Sequence, residues 1–367
     1  MTARAGMIKE SGNEILTPTR VLNSTELENG LKLEKCKLVK VDFPHPITEV
    51  THYIKTDSIY SMIKNAEASN GLKNQVEEKS KNAGQRITIF HPVFDKSLKT
   101  DDRLNSIMID LQIQSDIDAV SILDDYNSSP EEFENRIKSS IKQIEDSDSV
   151  AEPMPTIRLD SDERIFGRKL KVCVGNRINI INLTYAPIKE NYHNYSYLIN
   201  NMADEDVWLH LSEVGNKIFN KSSLIHAMPL FSIDSFALKS RPFPPGTYKK
   251  RISVPKRFDT KTLGQIDVNE HKQMYGDKLN CDCFVDINMD KQRTLNNFLN
   301  VFNGAQLLKQ ALVCHDACSS FNEFLKARNK IIGRNYRNYL RNKKYMHLPV
   351  KRFFKIDLGN KTINGNY

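Results

Sequence analysis

The sequence predicts an α/β fold, a (β/α)8 barrel with a metal-binding module near its C-terminus. Short runs rich in Ile and Val, each bounded by polar turns, are typical of buried strands. Amphipathic stretches between several of these runs predict helices, and repeated strand–helix alternation favours a parallel sheet. The number of strands favours a TIM-like barrel, and a doubly wound sheet is the alternative, although no Gly-rich fingerprint follows any strand. The predicted strands are ITEVTHYIK, RITIFHPVF, DAVSILDD, MPTIRLD, INIINLTYA, DVWLHLSEV and IDSFALK.

The order of these elements predicts how the chain is organised. Few strong signals precede the first predicted strand. The helix predicted in SSPEEFENRIKSSIKQIEDS opens with Ser129, Pro130 and acidic residues, which is a favourable helix start. We predict a lead-in over 1–44, the barrel over 45–270, the zinc-binding module with a closing helix over 271–330 and a basic tail over 331–367.

The bulk composition is that of a globular protein. The chain has 367 residues, of which 39% are hydrophobic and 27% charged, and no run of eighteen apolar residues occurs. The N-terminal segment MTARAGMIKESGNE has no apolar core of the kind found in a signal peptide. We therefore expect a cytoplasmic protein with reduced cysteines and no membrane partner.

Positive charge is concentrated near the C-terminus. The formal net charge is +8 and the pI is about 9.0, which weakly favours a polyanionic partner. Cations interleaved with aromatics suit a phosphate backbone and unstacked bases, although such runs are commonly solvated helix faces. The residues predicted to bind nucleic acid are Arg334, Arg337, Arg341, Lys343 and Lys344, with Tyr336, Tyr339 and Tyr345 among them.

Four of the six cysteines and one histidine lie close together in the sequence. Cys281 and Cys283 form a Cys-x-Cys turn, and Cys314, His315 and Cys318 follow an apolar stretch with near-helical spacing. Thiolates and imidazole are zinc ligands, so this density predicts a structural Zn²⁺ site. The alternative is that these cysteines are small buried hydrophobic residues.

Carboxylates follow several of the predicted strands. In a (β/α)8 barrel the catalytic groups project from the carboxyl ends of the strands. Any single one of these residues is more often a helix cap or turn residue than a catalyst. The candidates are Asp57, Asp95, Asp124, Asp125, Asp160 and Glu213, while Asp234 lies at the start of a strand.

The segment from Cys281 resembles the zinc module of the tRNA-guanine transglycosylase family (queuine and archaeosine tRNA-ribosyltransferases). Cys281 and Cys283 match the first two ligands of that family and His315 matches the fourth. Asp286 stands where the family has its third ligand, a cysteine. Either Asp286 coordinates zinc through oxygen, or Cys314 or Cys318 completes the set.

The barrel region, from about residue 50 to residue 325, is similar to the same family. The stretch DIDAVSILDDYNSSPEEF resembles a strand whose terminal Asp recognises the guanine edge, which implies this role for Asp124 with Asp125 beside it. Thr-Asp-Ser at Asp57 and Ser58 resembles the start of a motif whose Asp is the general acid/base, and Ser58 is assigned to base binding.

The nucleophile is assigned with a departure from the family pattern. Ser-Ile-Asp-Ser-Phe-Ala resembles a Gly-φ-Asp-x-Phe-Asp motif, and Ala237 stands where the nucleophilic Asp is expected. The resemblance leaves Asp234 as the candidate nucleophile, which requires a shifted register or a bulge.

The resemblance implies a guanine transglycosylase that exchanges guanine for a 7-deazaguanine in tRNA or DNA through a covalent aspartyl-glycosyl intermediate. The mechanism has the logic of a retaining glycosidase, with two carboxylates near an oxocarbenium-like centre. The alternative is a catalytically inactive nucleic-acid-binding subunit of the same fold. A third hypothesis is an unrelated zinc-stabilised barrel hydrolase acting on nucleosides. A homodimer or heterodimer through the zinc module is also expected from the resemblance.

Overall fold

A computed structural model gives the structure of the protein. The residues it describes are 5, 7–10, 13–36, 39–65, 69–94, 102–124, 128–188, 190–215, 225–240, 256–278, 285–287, 294–301 and 305–343.

Fourteen strands are present in the described residues. Their lengths range from three to seven residues, and most are bounded by turns or helices. In chain order they are β1 (Met7–Glu10), β2 (Asn13–Leu16), β3 (Thr19–Asn23), β4 (Val39–Val41), β5 (Ile47–Tyr53), β6 (Ile87–Val93), β7 (Ala119–Ile122), β8 (Glu152–Arg158), β9 (Ile180–Thr184), β10 (Trp208–Val214), β11 (Ser235–Leu238), β12 (Lys256–Asp259), β13 (Gly264–Asp267) and β14 (Val285–Ile287).

Eight of these strands form a closed barrel in the order β10-β11-β3-β5-β6-β7-β8-β9. Every pairing around the ring is parallel, so the strands begin at one end of the barrel and finish at the other. The predicted α/β barrel is therefore confirmed, and all seven predicted strands are barrel strands.

The remaining barrel strand is β3, which lies inside the region predicted as a lead-in. Its five residues include the polar Thr19, Arg20 and Asn23, so no apolar run marks it in the sequence. The structure shows that β3 completes the barrel, because it pairs with β11 on one side and with β5 on the other. The barrel strands thus run from Thr19 to Leu238 rather than from residue 45 to residue 270.

Helices follow most barrel strands. The predicted helix start at Ser129 is confirmed, because its side chain accepts a hydrogen bond from Glu132 N in a capping box and Pro130 is the first helical residue. The described helices are α1 (Ser24–Lys35), α2 (Thr56–Lys64), α3 (Asn70–Ala83), α4 (Asp102–Ile113), α5 (Pro130–Asp146), α6 (Glu163–Gly175), α7 (Tyr192–Asn201), α8 (Val268–Tyr275), α9 (Leu295–Val301), α10 (Ala305–Ile332) and α11 (Tyr336–Arg341), with a 3-10 helix over Ile225–Phe231.

The chain divides into two compact units. The first comprises Met1–Leu27, His45–Val214 and Phe231–Pro244 and contains the barrel. The second comprises Glu28–Pro44, Gly215–Leu230 and Pro245–Tyr367. Within the second unit β12 and β13 form an antiparallel hairpin, and β14 pairs antiparallel with β4. Among the residues that the structure describes, no helix is long and apolar enough to span a bilayer.

Candidate functional site

The interior of the barrel changes from apolar to polar along the strand direction. Because side chains alternate between the two faces of a strand, every second residue of each barrel strand faces the interior. Near the amino ends these residues are apolar, and Ile47, Ile180 and Trp208 belong to one buried cluster. The following interior positions of several of the same strands are polar and buried, at Glu49, His91, Ser121, Asn182 and His210. Since buried polar groups need partners, we consider this polar half of the barrel as the candidate functional site.

Glu213 lies at the carboxyl end of β10, where the strand bulges. The pairing register between β10 and β11 shifts between Leu211 and Val214, and Glu213 has a φ of 58°. A residue other than Gly seldom adopts this left-handed conformation, which occurs mainly in turns and at functional sites. His210 faces inward, so strict alternation would point Ser212 inward and Glu213 outward. The bulge instead re-aims the side chain, so that Glu213 Oε1 lies 3.3 Å from His91 Nε2.

Glu213 is held in its ionised form. Lys239 Nζ donates to Glu213 Oε2 at 2.9 Å, on the carboxylate oxygen that His91 does not contact. Burial raises the pKa of Glu213, but the hydrogen bond and charge of His91 and those of Lys239 outweigh burial and lower the pKa to about 2. The carboxylate is therefore negatively charged at neutral pH.

The pKa of His91 is shifted in the opposite direction, upward. Burial lowers the pKa of His91, yet the hydrogen bond to Glu213 and the charges of Glu49 and Glu213 outweigh burial and raise it. The imidazole is 4% exposed, so water screens these charges little. His91 thus keeps a proton to higher pH than a solvent-exposed histidine, because the charges of Glu213 and Glu49 both favour its protonated form.

A chain of buried hydrogen bonds holds the carboxylate of Glu49 in place. His210 Nε2 lies 3.0 Å from Glu49 Oε2, and His210 Nδ1 lies 2.8 Å from Ser235 Oγ. Trp208 Nε1 donates to the same Ser235 oxygen at 2.6 Å, and Thr51 Oγ1 donates to Glu49 Oε1 at 3.0 Å. Because a carboxylate only accepts, His210 Nε2–H donates to Glu49, and in that tautomer of the neutral ring Nδ1 accepts the Ser235 hydroxyl.

This chain has the residue order of a Ser–His–Glu triad without the access that a nucleophile requires. His210 is 0% exposed and Ser235 is 1% exposed. The Ser235 hydroxyl accepts the indole N–H and also contacts His210 Nδ1, so both of these neighbours hold it in place. The chain therefore suits the orientation of Glu49 rather than attack on a substrate.

The polar half of the barrel offers acid–base chemistry beside a fixed negative charge. Glu213 is ionised, His91 retains a proton, and Glu49 adds a second carboxylate whose charge acts on the same imidazole. General acid–base catalysis and stabilisation of a cationic transition state both need groups of this kind within reach of one another.

The structure places the predicted acid/base Asp57 in the first turn of α2, after the carboxyl end of β5. Asp57 and Ser58 are both exposed, and neither is among the groups hydrogen-bonded around His91 in the described part of the chain. Asp125, predicted to flank the base reader, lies outside the described residues, as does Asp95.

Asp124 forms a buried ion pair instead of an open base-reading group. Lys169 Nζ on α6 lies 2.6 Å and 2.9 Å from its two carboxylate oxygens, and Ser128 Oγ donates to it at 2.6 Å. Both side chains of the pair are 1% exposed. Burial raises the pKa of Asp124 despite the opposing effect of Lys169. The carboxylate is thus committed to α6 and the start of α5.

Asp234, the predicted nucleophile, lies at the amino end of the barrel. It immediately precedes β11, and its Oδ2 accepts the backbone N–H of Leu209 at 2.9 Å. Its Oδ1 accepts the Thr17 hydroxyl at 3.2 Å, and the residue is 2% exposed. Assigning Asp234 as the nucleophile required a shifted register or a bulge at that residue, and the register irregularity between β10 and β11 lies instead beside Glu213. Asp234 and Glu213 are thus at opposite ends of the barrel wall.

The predicted zinc ligands are only partly described. Cys281 and Cys283 lie outside the described residues, and Asp286 is described only through its backbone in β14. Cys314, His315 and Cys318 are buried on α10. His315 Nε2 is 3.2 Å from the Phe258 carbonyl oxygen and 3.4 Å from Arg257 Nη1.

A guanidinium beside His315 does not favour a cation there, so the described groups alone do not fit a zinc site. No cluster of three or more His, Cys, Asp or Glu suited to a metal occurs within the described ranges. This finding does not bear on the Cys281 and Cys283 arm, and zinc stays a prediction.

The predicted nucleic-acid-binding residues differ in exposure. Arg334 and Arg341 are exposed, and Arg337 is half-buried. The ammonium of Lys343 is engaged within the protein, because it donates to the buried Glu323 and to the Thr260 carbonyl oxygen at 2.7 Å. Lys344 lies outside the described residues.

Sequence reasoning identified Glu213 as one of several strand-end carboxylates but missed its partners. Glu49, His91 and His210 lie inside strands, where the apolar runs drew attention to Ile and Val instead. The available signal was alternation: in WLHLSEV, His210 and Ser212 alternate with Leu209 and Leu211, as expected for a strand whose interior face is polar.

Comparison with known proteins identifies no family for this chain. No protein-family model and no curated protein matches it. Among solved structures, it is similar to 3-dehydroquinate dehydratase from Geobacillus kaustophilus HTA426, with 11% identity, a TM-score of 0.40, and coverage of 66% of this chain and 91% of that chain. It is also similar to phosphoribosyl anthranilate isomerase from Thermococcus kodakaraensis, with 9% identity, a TM-score of 0.35, and coverage of 60% and 87% respectively. Likeness at this level carries no argument about function.

Proposed function

We propose that this chain is a base-exchange transglycosylase whose reaction is carried out at the carboxyl end of the barrel by Glu213 and His91. The observation that carries the proposal is the pairing of an ionised carboxylate with a proton-bearing imidazole, 3.3 Å apart, at a backbone bulge. The resemblance to guanine transglycosylases supports the reaction class. The placement of Asp234 at the amino end of the barrel favours Glu213 over Asp234 as the nucleophile.

In the proposed reaction Glu213 attacks C1′ of a guanosine in tRNA or DNA. The glycosidic bond breaks, its electron pair leaves with guanine, and His91 donates a proton to the departing base. This step leaves an ester between Glu213 and the sugar. A 7-deazaguanine then loses its ring proton to His91 and displaces Glu213, which restores the carboxylate.

Glu49 and Lys239 assist without forming bonds to the sugar. The negative charge of Glu49 raises the pKa of His91, so the imidazole still holds the proton that it must donate. Lys239 keeps Glu213 ionised, which a nucleophilic carboxylate requires. The exposed arginines Arg334 and Arg341 are the proposed contacts for the nucleic-acid backbone. Zinc at Cys281, Cys283 and His315 would have a structural role only.

A second candidate function is a catalytically inactive nucleic-acid-binding subunit. The observation that favours it is Ala237, which is 0% exposed within the apolar cluster of the barrel interior, where the resemblance calls for a carboxylate. In that case the polar half of the barrel stabilises the fold or binds a base without exchanging it.

Exchange of radiolabelled guanine into bulk tRNA and into duplex DNA tests the proposal. We expect incorporation by the wild-type protein into one polymer and none by the Glu213→Gln variant, which keeps the shape of the side chain but removes its charge. Glu145→Gln on the exposed face of α5 is the matched control and should exchange normally. Incorporation that survives Glu213→Gln would contradict the assignment, and no incorporation by folded wild type would favour the inactive subunit.

A further inference from the structure

The side chain of Asn182 contacts His91 on the ring nitrogen that faces away from Glu213. Asn182 lies on β9, faces the barrel interior and is 0% exposed. Its Nδ2 lies 3.2 Å from His91 Nδ1, while His91 Nε2 lies 3.3 Å from Glu213 Oε1. The imidazole is therefore held between an amide and a carboxylate, one on each nitrogen.

The contact between Asn182 and His91 fits the neutral imidazole only. With its Nε2 hydrogen directed at Glu213, a neutral ring has a lone pair on Nδ1, which accepts from the amide NH₂ group. A charged ring has a hydrogen on both nitrogens, so Nδ1–H then needs an acceptor. The charges that act on His91 are those of Glu213 and Glu49, which favour its charged form, and that of Lys239, which opposes it. On balance the charged form is favoured, so the group on Nδ1 must serve both forms.

The other contacts of the amide allow it to turn. Asn182 Nδ2 also lies 3.2 Å from Thr156 Oγ1, and that hydroxyl lies 3.2 Å from Ser121 Oγ. An imidazole nitrogen and a hydroxyl can each either donate or accept. Asn182 Oδ1 has no hydrogen-bond partner in the part of the chain that the structure describes. A half-turn of the amide exchanges two groups of nearly equal size, and Oδ1 then accepts from both His91 Nδ1–H and the Thr156 hydroxyl.

Two other buried amides are held in one orientation. Gln112 Nε2 donates to the Ser121 carbonyl oxygen at 3.0 Å, and Gln112 Oε1 accepts from the Ser121 N–H at 2.6 Å. Asn194 Nδ2 donates to two backbone carbonyl oxygens, at 2.9 Å and 2.8 Å. Backbone groups cannot exchange the roles of donor and acceptor, so neither amide can turn without losing its partners. Asn182 differs because both partners of its Nδ2 can reverse their roles.

We propose that Asn182 is a positioning residue whose amide turns as His91 gains and loses its proton, so that Nδ1 has a partner in both charge states. The inference rests on the proposed function, in which His91 first donates a proton and then accepts one. A histidine that acts in both directions has to keep its ring orientation in both forms. A backbone N–H at Nδ1 would hold only the neutral form and a carboxylate only the charged form, whereas the amide holds both.

Nuclear magnetic resonance of the full chain tests the inference without any substrate. The side-chain NH₂ signals of Asn182 should shift with pH at the same midpoint as the ring nitrogens of His91. The NH₂ signals of Asn194 should not follow that midpoint, because its carbonyl partners do not titrate. Each signal is assigned by its loss in a variant of the same residue, such as Asn182→Leu or His91→Gln.

Asn182→Asp replaces the amide by a group that only accepts. It should raise the pKa of His91 by about 1–3, because a negative charge then lies beside the ring. The imidazole would be held as an acid that does not take a proton back, so guanine exchange should slow about tenfold or more. Asn179→Asp makes the same chemical change at an exposed position just before β9, and it should leave both the pKa of His91 and the exchange rate unchanged.

The outcomes separate this inference from the proposed function. Asn182 signals that do not follow His91, or an unchanged pKa of His91 in folded Asn182→Asp, would overturn the role of Asn182. If Asn182→Asp does not fold, the wild-type titration alone decides. An amide that follows His91 in a protein that exchanges no base would support the inference while contradicting the proposed transglycosylation.

Discussion

The two ends of the barrel use carboxylates in different ways. At the amino end, Asp234 and Asp118 each accept backbone N–H groups of a neighbouring strand, at 2.9 Å from Leu209 and 2.7 Å from Thr88. At the carboxyl end, the hydrogen-bond partners of the Glu213 carboxylate within the described ranges are two side chains, His91 and Lys239. A carboxylate that holds backbone in place fixes the register of strands, whereas one that faces a titrating imidazole can take part in proton transfer. The strand sequence alone does not separate these roles, because both kinds of residue stand beside buried runs.

The largest effect on stability is expected at a carboxylate that belongs to neither group. Asp124→Ala leaves the ammonium of Lys169 buried without its partner, and removal of one partner of a buried pair costs about 3–5 kcal/mol. Urea unfolding measures this loss. The double variant Asp124→Leu with Lys169→Met should recover most of it, since no charge is then buried. If Asp124→Ala unfolds like wild type but no longer binds guanine, Asp124 acts in base recognition and our description of the pair is wrong.

A smaller loss is expected at the amino end. Asp234→Ala leaves the Leu209 N–H and the Thr17 hydroxyl without the acceptor that they share, which costs about 1–3 kcal/mol. Thermal unfolding followed by circular dichroism measures the change. Guanine exchange per folded molecule should remain, because the residue lies away from the Glu213 end. Wild-type stability together with abolished exchange would restore Asp234 as the nucleophile.

At the carboxyl end, Lys239→Met should mainly change the pKa of Glu213, and with it the dependence of stability on pH. The hydrogen bond and charge of Lys239 help to hold the pKa of Glu213 at about 2, so their loss raises it toward the ordinary value of 4.5. A depressed carboxylate pKa stabilises the fold above the unfolded value, and this contribution disappears as pH falls toward the folded value. The variant should therefore lose less stability between pH 4.5 and 2 than wild type, as urea unfolding across that range would show. Lys171→Met on the exposed face of α6 is the control, and equal pH profiles for all three proteins would contradict the role of Lys239.

The next effect is confined to acidic pH and concerns a second histidine of the barrel. Burial, followed by the charge of Lys79, lowers the pKa of His52 on β5 from 6.5 to about 4. Because the folded value lies below the unfolded one, the unfolded chain binds more protons between them, and stability falls as pH decreases from 6.5 to about 4. His52→Gln should flatten this part of the stability profile.

His91 provides the opposite sign for comparison. Its pKa is raised, so its contribution is complete below 6.5 and is lost as pH rises through the folded value. His91→Gln should keep the fall in stability that His52 causes between pH 6.5 and about 4, and should flatten the limb above pH 6.5. Because His91 also helps to lower the pKa of Glu213, the variant should lose less stability than wild type between pH 4.5 and 2. If the two substitutions changed both limbs equally, the pKa values of His52 and His91 would not be shifted in opposite directions, and our description of the two environments would be wrong.

The sequence was sufficient for most of the barrel and for little of the site. Apolar runs bounded by turns revealed seven strands because burial between helices and the interior requires them. β3 escaped because Arg20, an outward-facing residue, pairs with Glu26 in the interior of the protein, and a charge in a short strand hides its pattern. The sequence does not mark the bulge at Glu213, since the positive φ is adopted by Glu213 itself rather than by a Gly, and so the inward turn of that side chain emerges only in the structure.

The most direct test compares the two ends of the barrel within one assay. Glu213→Gln and Asp234→Asn make the same chemical change, from carboxylate to amide, at opposite ends. Incorporation of labelled guanine, normalised to folded protein, should be abolished by Glu213→Gln and retained by Asp234→Asn. Retention by Glu213→Gln with loss in Asp234→Asn would contradict the account and move the chemistry to the amino end.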